Sequence, residues 1–211
     1  MQIHQLFPTT ILKDNINRPF TKAETDFYQN AIYRPDISNS TESPHRINLS
    51  LDHAVLENAV MANIKEFIMQ RVNHYMFNVM QINDRVTFYI SRSWFIQSKK
   101  GDFGRRHDHP NSILSGIFYF RAPVDCGNIM FYENKTSKFG SMQFGFTPPN
   151  ALNSTHVSVP PTDGTMIIFP SALAHEISIN QADETRYSMA FDIWVKGTMG
   201  VTAGDGTTLT L

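Results

Sequence analysis

The chain has 211 residues, is 41% hydrophobic and carries a formal net charge of −1. This size and hydrophobic content predict one domain with a sizeable core, and the small net charge argues against a nucleic-acid partner held by bulk charge. No stretch is long and apolar enough to span a membrane, and the N-terminus lacks the pattern of a signal peptide. The single cysteine, Cys126, excludes an internal disulfide, so a cytoplasmic location is expected.

The first 80 residues have the pattern of helices. Thr21 and Glu24 form a capping box ahead of an apolar repeat that predicts a helix of about three turns, ended by Pro35. From Asp52, a candidate N-cap, apolar residues keep the helical period as far as Met80 and predict one long helix. The polar residues 37–51 between them indicate a surface loop.

The pattern changes to that of β-strands after Asp84. Val86 to Gln97 is rich in β-branched and aromatic residues, and similar segments follow at 113–120, 128–132, 157–159, 165–169 and 186–195. Strands that follow one another without intervening helices predict an antiparallel barrel or double sheet, with the helices on one outer face.

The chain is therefore predicted as one domain over residues 1–196, with a helical front at 20–80 and a β core at 84–196. Residues 197–211 are rich in Gly and Thr. They are predicted to be a frayed tail or an arm that adds to a neighbour's sheet, which would permit a homo-oligomer.

Three histidines form a candidate metal site. His107 and His109 are two residues apart, so in an extended strand both imidazoles would point to one side and Asp108 to the other. His175 follows a predicted strand and turn at 164–170 and could reach the same point from a neighbouring strand. Neutral imidazoles suit divalent iron, copper or zinc, and iron is expected because three ligands on one face leave positions open for O₂ and a chelating co-substrate. Arg186 would be at hand for an anionic co-substrate.

Several segments resemble a known family. The run GDFGRRHDHPNSILSGIFY at 101–119, with residues 169–175 and 186–188 and the opening residues 6–10, is similar to 2-oxoglutarate/Fe(II) oxygenases found often in marine phages and bacteria. The resemblance extends from about residue 7 to 195. It implies a double-stranded β-helix, or jelly roll, with His107, His109 and His175 as iron ligands. It also implies that Arg186 anchors the distal carboxylate of 2-oxoglutarate.

One position departs from the wider superfamily, in which Asp or Glu usually stands where His109 does here. The site would then have three histidines instead of two histidines and a carboxylate. Asp108 is the nearby carboxylate, and a bulge at Pro110 could rotate it inward in place of His109. Both ligand sets are left open by the sequence.

Four further residues are candidates for binding the co-substrate. Ser115 and Tyr119 would share an inward face with Ile117, although ordinary barrel packing would also account for them. Gln97 falls where the superfamily often has a tyrosine, and could donate an amide N–H in its place. Ser188 faces the same way as Arg186, whose planar fork matches a carboxylate.

The resemblance implies hydroxylation of a substrate with 2-oxoglutarate and O₂ consumed. A peptidyl, prolyl-type side chain is the expected substrate by fold-level analogy, with specificity in the loops at 37–51 and 136–156. Two alternatives remain. One is a three-histidine cupin-like enzyme that does not use 2-oxoglutarate and has no role for Arg186. The other is a non-catalytic jelly-roll binding or virion structural protein without a bound metal.

Overall fold

The computed structural model of the chain describes residues 1–2, 8–36, 46–133, 148, 150, 152–200 and 208–211. Its strands are β1 (Leu12–Asn15), β2 (Tyr33–Pro35), β3 (Asn48–Ser50), β4 (Val86–Ser98), β5 (Gly104–His107), β6 (Leu114–Arg121), β7 (Ile129–Tyr132), β8 (His156–Val159), β9 (Thr165–Pro170), β10 (His175–Ile177), β11 (Arg186–Met199) and β12 (Leu209–Thr210).

These strands pair antiparallel into two sheets. The larger has the order β1-β9-β6-β11-β4-β3-β2, with β12 added to β11, and the smaller has the order β5-β10-β7-β8. The predicted double sheet, a jelly roll, is confirmed. The long hydrophobic segments of the sequence became the central strands β4, β6, β9 and β11, where burial on both faces favours such runs.

The first helix, α1 (Lys22–Gln29), begins at the predicted capping box. The Thr21 hydroxyl accepts a hydrogen bond from the backbone N–H of Glu24, and the Glu24 carboxylate accepts one from the backbone N–H of Thr21. The helix is shorter than predicted and does not run on to Pro35. It ends at Asn30, whose backbone and side-chain N–H groups both donate to the carbonyl of Asp26.

The prediction of a single long helix from Asp52 is wrong at the start of that segment. Two 3-10 turns, Val55–Glu57 and Ala59–Met61, precede α2 (Ala62–Asn73), and a π-helical segment, His74–Val79, follows it. The break lies at Asn58, whose backbone is extended (φ −70°, ψ 133°) and whose side chain accepts from the N–H of Val60. Asn58 therefore acts as an N-cap in the middle of the apolar repeat.

The large sheet has a separate hydrophobic core on each face. On one face the helices pack against side chains that include Phe118, Met189 and Phe191. On the other face, between the two sheets, lies a smaller core that includes Ile117, Phe131 and Phe169. The predicted packing of the helices on one face is confirmed, and the opposite, inner face is free to carry a site.

Central strands β6 and β11 approach closely on the helix-facing side. Gly116 and Phe191 are cross-strand partners, and a Cβ atom on Gly116 would lie 2.1 Å from the Phe191 ring. A glycine at this position makes room for the Phe191 ring against β6.

Several short elements fall where loops were predicted. Residues 48–50 of the predicted 37–51 loop form β3, while residues 37–45 lie outside the described residues, as does most of the predicted 136–156 loop. In the described part of the tail, β12 pairs with this chain's own β11. Across the described ranges, no helix combines the length and apolar character needed to cross a membrane.

Candidate metal and co-substrate site

The three predicted histidines converge. One ligand nitrogen from each of His107, His109 and His175 lies within 4.8 Å of the others. His107 ends β5 and His175 begins β10, and the two are direct cross-strand partners. His109 lies beyond the end of β5, so strand alternation does not orient it; its backbone N–H donates to the carbonyl of Ser171 (3.0 Å). Asp108 is exposed and is not part of this group.

Each of the three rings is held through Nδ1. His107 donates to the carbonyl of Arg105 (2.7 Å), and His175 donates to the carbonyl of Leu173 (3.0 Å). His109 donates to the carboxylate of Asp192 (2.7 Å). Because carbonyl and carboxylate oxygens only accept, the proton of each neutral ring must be on Nδ1, which leaves the Nε2 lone pair available to a metal.

Burial keeps the imidazoles of His107 and His175 neutral. It lowers the pKa of His175 to about 3, with the neighbouring His107 contributing in the same direction. Burial also lowers the pKa of His107, although the carbonyl of Arg105 opposes it. A metal ligand must be unprotonated, so both rings are in the state that binds a divalent cation at neutral pH.

Asp192 is the carboxylate behind the site. Burial raises its pKa, but hydrogen bonds from His109 and Ser115 and the charge of Arg92 outweigh this effect and hold it below the usual range. The Ser115 hydroxyl donates to Asp192 (2.9 Å) and also bonds to Ser171 (2.8 Å). This corrects the expectation that Ser115 contacts the co-substrate, since its hydroxyl is already committed to the support of His109.

A second cluster of polar groups lies buried without partners. Arg186 is fully buried, and its Nη1 donates to the carbonyl of Cys126 (3.0 Å). Within the described part of the chain, its Nε and Nη2 and the hydroxyls of Tyr119, Ser188 and Ser98 have no hydrogen-bond partner. Ser98 pairs with Arg186 across β4 and β11, and Tyr119 pairs with Ser188 across β6 and β11, so the four residues are neighbours on the inner face.

This second cluster fits a carboxylate. An unpaired buried guanidinium is costly, and burial lowers the pKa of Arg186 accordingly. Two free N–H groups of the guanidinium beside two or three hydroxyls supply the donors that a carboxylate accepts. The residues present therefore match both groups implied by the sequence, a divalent metal at the histidines and an anionic ligand at Arg186.

Gln97 does not lie in the site, which corrects another expectation. It pairs with Tyr187 across β4 and β11, and its side-chain amide donates to the Tyr187 hydroxyl (3.3 Å). Tyr187 packs against the ring of Tyr28 in α1, so this is the helix-facing side of the sheet. Alternation along β4 then directs Ile96 and Ser98 to the inner face.

A cavity of about 840 Å³ opens onto the three histidines. Its walls are largely apolar, with Ile47, Leu49, Ile96, Ile117 and Phe169 among them. Charged side chains line it too, those of Asp36, Arg92, Arg105 and Asp108. Arg105 is thus at the cavity, where it could contact an acidic group of a substrate.

Four residues of the site were missed in the sequence: His53, Arg92, Trp94 and Asp192. Trp94 stacks on the His109 ring with 6.0 Å between centroids, and the ring of His53 lies 6.0 Å from that of Trp94. Alternation from Ile96 on β4 could have indicated Trp94 and Arg92, and alternation from Arg186 on β11 could have indicated Asp192. No sequence signal indicates His53.

Comparisons with known proteins agree with this architecture. Residues 92–192, just under half of the chain, match the family described as "Putative 2OG-Fe(II) oxygenase". No curated protein matches the chain in sequence. Among solved structures, a 2OG-Fe(II) oxygenase family oxidoreductase from Burkholderia pseudomallei is similar, with 14% identity, a TM-score of 0.58 and coverage of 87% of this chain and 84% of that one.

Two further solved structures share the fold. A Pseudomonas putida prolyl-4-hydroxylase is 13% identical, with a TM-score of 0.56 and coverage of 87% of this chain and 92% of that one. HygX from Streptomyces hygroscopicus, with nickel and 2-oxoglutarate bound, is 10% identical, with a TM-score of 0.56 and coverage of 88% of this chain and 82% of that one.

A jelly roll that carries a convergent histidine set on its inner face fits a non-haem metal site. The family match over residues 92–192 contains all three histidines and Arg186. Residues 92–192 thus resemble a 2-oxoglutarate/Fe(II)-dependent oxygenase, and the residues present fit Fe(II) and 2-oxoglutarate as cofactors.

Proposed function

We propose that His107, His109 and His175 bind Fe(II) through Nε2, and that Arg186, with Tyr119 and Ser188, binds the distal carboxylate of 2-oxoglutarate. The observation that carries this proposal is the buried polar cluster without partners around Arg186. Buried polar groups in proteins are nearly always hydrogen-bonded, so a cluster of unsatisfied buried donors indicates a ligand of complementary charge.

Bound Fe(II) and 2-oxoglutarate supply the oxidising chemistry with O₂, in which the acid is converted to succinate and CO₂ and a substrate C–H bond is hydroxylated. The residues of this chain hold the co-substrate and orient the histidine rings. Arg186 and its hydroxyl neighbours fix one end of the co-substrate, the three Nδ1 hydrogen bonds fix the rings, and the apolar walls of the cavity limit the access of water.

The substrate we propose is a peptidyl side chain of the prolyl type. The cavity of about 840 Å³ opens onto the histidines, and Ile47, Leu49 and Trp94 offer an apolar wall for a non-polar ring. The similarity in fold to the P. putida prolyl-4-hydroxylase supports the same class. The one cysteine, buried at Cys126, accords with action in the cytoplasm.

The substrate class is tested by incubating the iron-loaded enzyme, 2-oxoglutarate and O₂ with proline-containing and proline-free peptide mixtures. Mass spectrometry should find the gain of one oxygen atom on prolyl residues, and succinate formation should rise with those peptides alone. Oxygen incorporation into other residues, or into added small molecules only, would contradict the prolyl assignment and leave the co-substrate assignment standing.

The co-substrate site is tested by comparing two ligands and two proteins. 2-Oxoglutarate and 2-oxopentanoate can both chelate iron, but 2-oxopentanoate lacks the distal carboxylate. Anaerobic titration of the Fe(II)-loaded protein, followed by the visible charge-transfer band of the chelate, should show that the wild type prefers 2-oxoglutarate. Charge-assisted hydrogen bonds contribute about 1.5–3 kcal/mol, so the preference should be roughly 10- to 100-fold.

Arg186→Met should remove most of that preference and leave Fe(II) affinity unchanged. Methionine is of similar length, and within the described residues the guanidinium makes one hydrogen bond, to the Cys126 carbonyl, with no acidic partner, so the variant should remain folded. Tyr119→Phe is a milder companion change. Equal affinity of the wild type for the two acids would favour the cupin-like alternative, and failure to bind any metal would favour the non-catalytic one.

A further inference from the structure

The three proposed iron ligands are neutral, so none of them offsets the charge of the metal. Most related sites have a carboxylate among the metal ligands. Here the nearest buried carboxylate is not a proposed ligand and instead hydrogen-bonds to one of the ligands. Asp192 is fully buried, and its Oδ1 accepts the Nδ1 proton of His109 at 2.7 Å. A buried carboxylate is retained only where its partners stabilise the charge.

The three histidine rings differ in the group that accepts their Nδ1 proton. His107 and His175 each donate to a neutral backbone carbonyl. Only His109, of these three, donates to a carboxylate. A carboxylate that accepts the Nδ1 proton raises the basicity of the ring and makes Nε2 a stronger donor to a metal. His109 is therefore distinguished electronically from the other two ligands.

Asp192 is itself anchored on both oxygens. Oδ2 accepts from Arg92 (2.5 Å), and Oδ1 also accepts from the hydroxyl of Ser115 (2.9 Å). The Ser171 hydroxyl lies within hydrogen-bond distance of the hydroxyls of Ser115 (2.8 Å) and Ser112 (2.9 Å). The orientation of the carboxylate is thus fixed from β4, β6 and the segment before β10, independently of any metal.

We propose that Asp192 is a positioning residue that orients the His109 ring and supplies, through that ring, the negative charge that the ligand set lacks. Arg92 moderates this charge from the other side, because its guanidinium shares the same carboxylate. A negative charge transmitted to iron stabilises Fe(III) relative to Fe(II), so Asp192 should lower the midpoint potential of the couple and Arg92 should raise it. The proposal depends on the iron site and is independent of the primary substrate.

The experiment measures the Fe(III)/Fe(II) midpoint potential of the iron-loaded protein, without 2-oxoglutarate or substrate, together with the dissociation constant for Co(II). Asp192→Asn keeps the shape and an oxygen that accepts from Nδ1, and removes the charge. Its midpoint potential should be more positive than that of the wild type, and Co(II) should bind about 10- to 100-fold more weakly.

Asp102→Asn is the matched control. Asp102 is also buried, and its carboxylate accepts from the backbone N–H of Lys99, in the turn after β4. The same chemical change there should move neither the potential nor the Co(II) affinity. A shift in this control equal to that of Asp192→Asn would mean that general loosening of the fold causes the effect, and would overturn the proposal.

Arg92→Gln provides a test of opposite sign. The Arg92 side chain is 50% exposed, so its replacement should leave the protein folded even where Asp192→Asn does not fold. Removing the cation leaves the carboxylate less neutralised, and the midpoint potential should fall below that of the wild type. An unchanged or raised potential in Arg92→Gln, or an unchanged one in Asp192→Asn, overturns the proposal.

Discussion

The choice between Asp108 and His109 decides what kind of iron site this protein has. Asp108 is exposed, whereas the His109 side chain is 9% exposed and its ring faces His107 and His175. We expect His109→Ala to weaken Co(II) or Fe(II) binding by more than about 100-fold, beyond the loss typical of residues that only support a ligand. Asp108→Ala should change it by less than about 2-fold, since the Asp108 side chain is exposed and is not part of the histidine group. Competition with a chromophoric chelator measures both, and a loss in Asp108→Ala alone would refute the three-histidine set.

At the level of single residues, spacing identified the groups that bind and missed those that support them. The three histidines converge as expected, and Arg186, Tyr119 and Ser188 are neighbours in one buried cluster. Their roles as ligands remain predictions. Ser115 was assigned by its strand face, which is inward, but its hydroxyl bonds to Asp192. The sequence shows which face a side chain occupies, and the partner it meets there depends on strands distant in the chain.

Among the elements, α1 depends on one buried acidic residue. Glu24 is 1% exposed, completes the capping box and pairs with Arg18. Glu24→Gln should lower the free energy of unfolding by about 1–3 kcal/mol at neutral pH, because it removes a charge-assisted hydrogen bond in a buried setting. Asp26→Asn is the control on the same helix; its pair with Lys22 is exposed, so a loss of about 0.5 kcal/mol or less is expected. Urea denaturation compares the three proteins.

The ion pair of Glu24 with Arg18 predicts that the free energy of unfolding depends on pH. Burial raises the pKa of Glu24, but hydrogen bonds from Arg18 and Thr21 outweigh this and hold it below the ordinary value of 4.5. A group whose pKa is lowered by folding stabilises the fold above its unfolded pKa, and this stabilisation is lost as the pH falls through the folded value. The advantage of the wild type over Glu24→Gln should therefore be full above about pH 5 and shrink below pH 4.5. A constant difference from pH 7 to pH 3 would contradict it.

The predicted strands are most accurate where a segment carries a clear apolar pattern. Strands β4, β6, β9 and β11 carry long apolar patterns and lie close to where the sequence predicted them. The three- and four-residue strands β1, β2 and β3 have no such pattern, and β1 is set by its pairing with β9. The helix predicted from Asp52 kept its apolar period, but a period does not reveal that Asn58 adopts an extended backbone.

At the scale of the whole molecule, binding of the two cofactors should appear as stability. A ligand at about 100 times its dissociation constant stabilises the native state by about 2.7 kcal/mol, which corresponds to roughly 5–10 °C in Tm for a chain of this size. We expect this rise for 2-oxoglutarate in the presence of Mn(II), and a much smaller one for glutarate, which lacks the keto oxygen that chelates. Differential scanning calorimetry measures both; an equal rise with glutarate would argue against chelation at the histidines.

Strand β11 carries both ends of the site. Asp192 supports His109 at one end, and Arg186 and Ser188 belong to the buried cluster at the other, all on the same face. Because side chains alternate along a strand, a shift of one residue would put Tyr187, Met189 and Phe191 in their place. Single substitutions in β11 can therefore change one end alone. An insertion or deletion within the strand would displace Asp192 and the Arg186 cluster together, so both ends of the candidate site depend on the length of this segment.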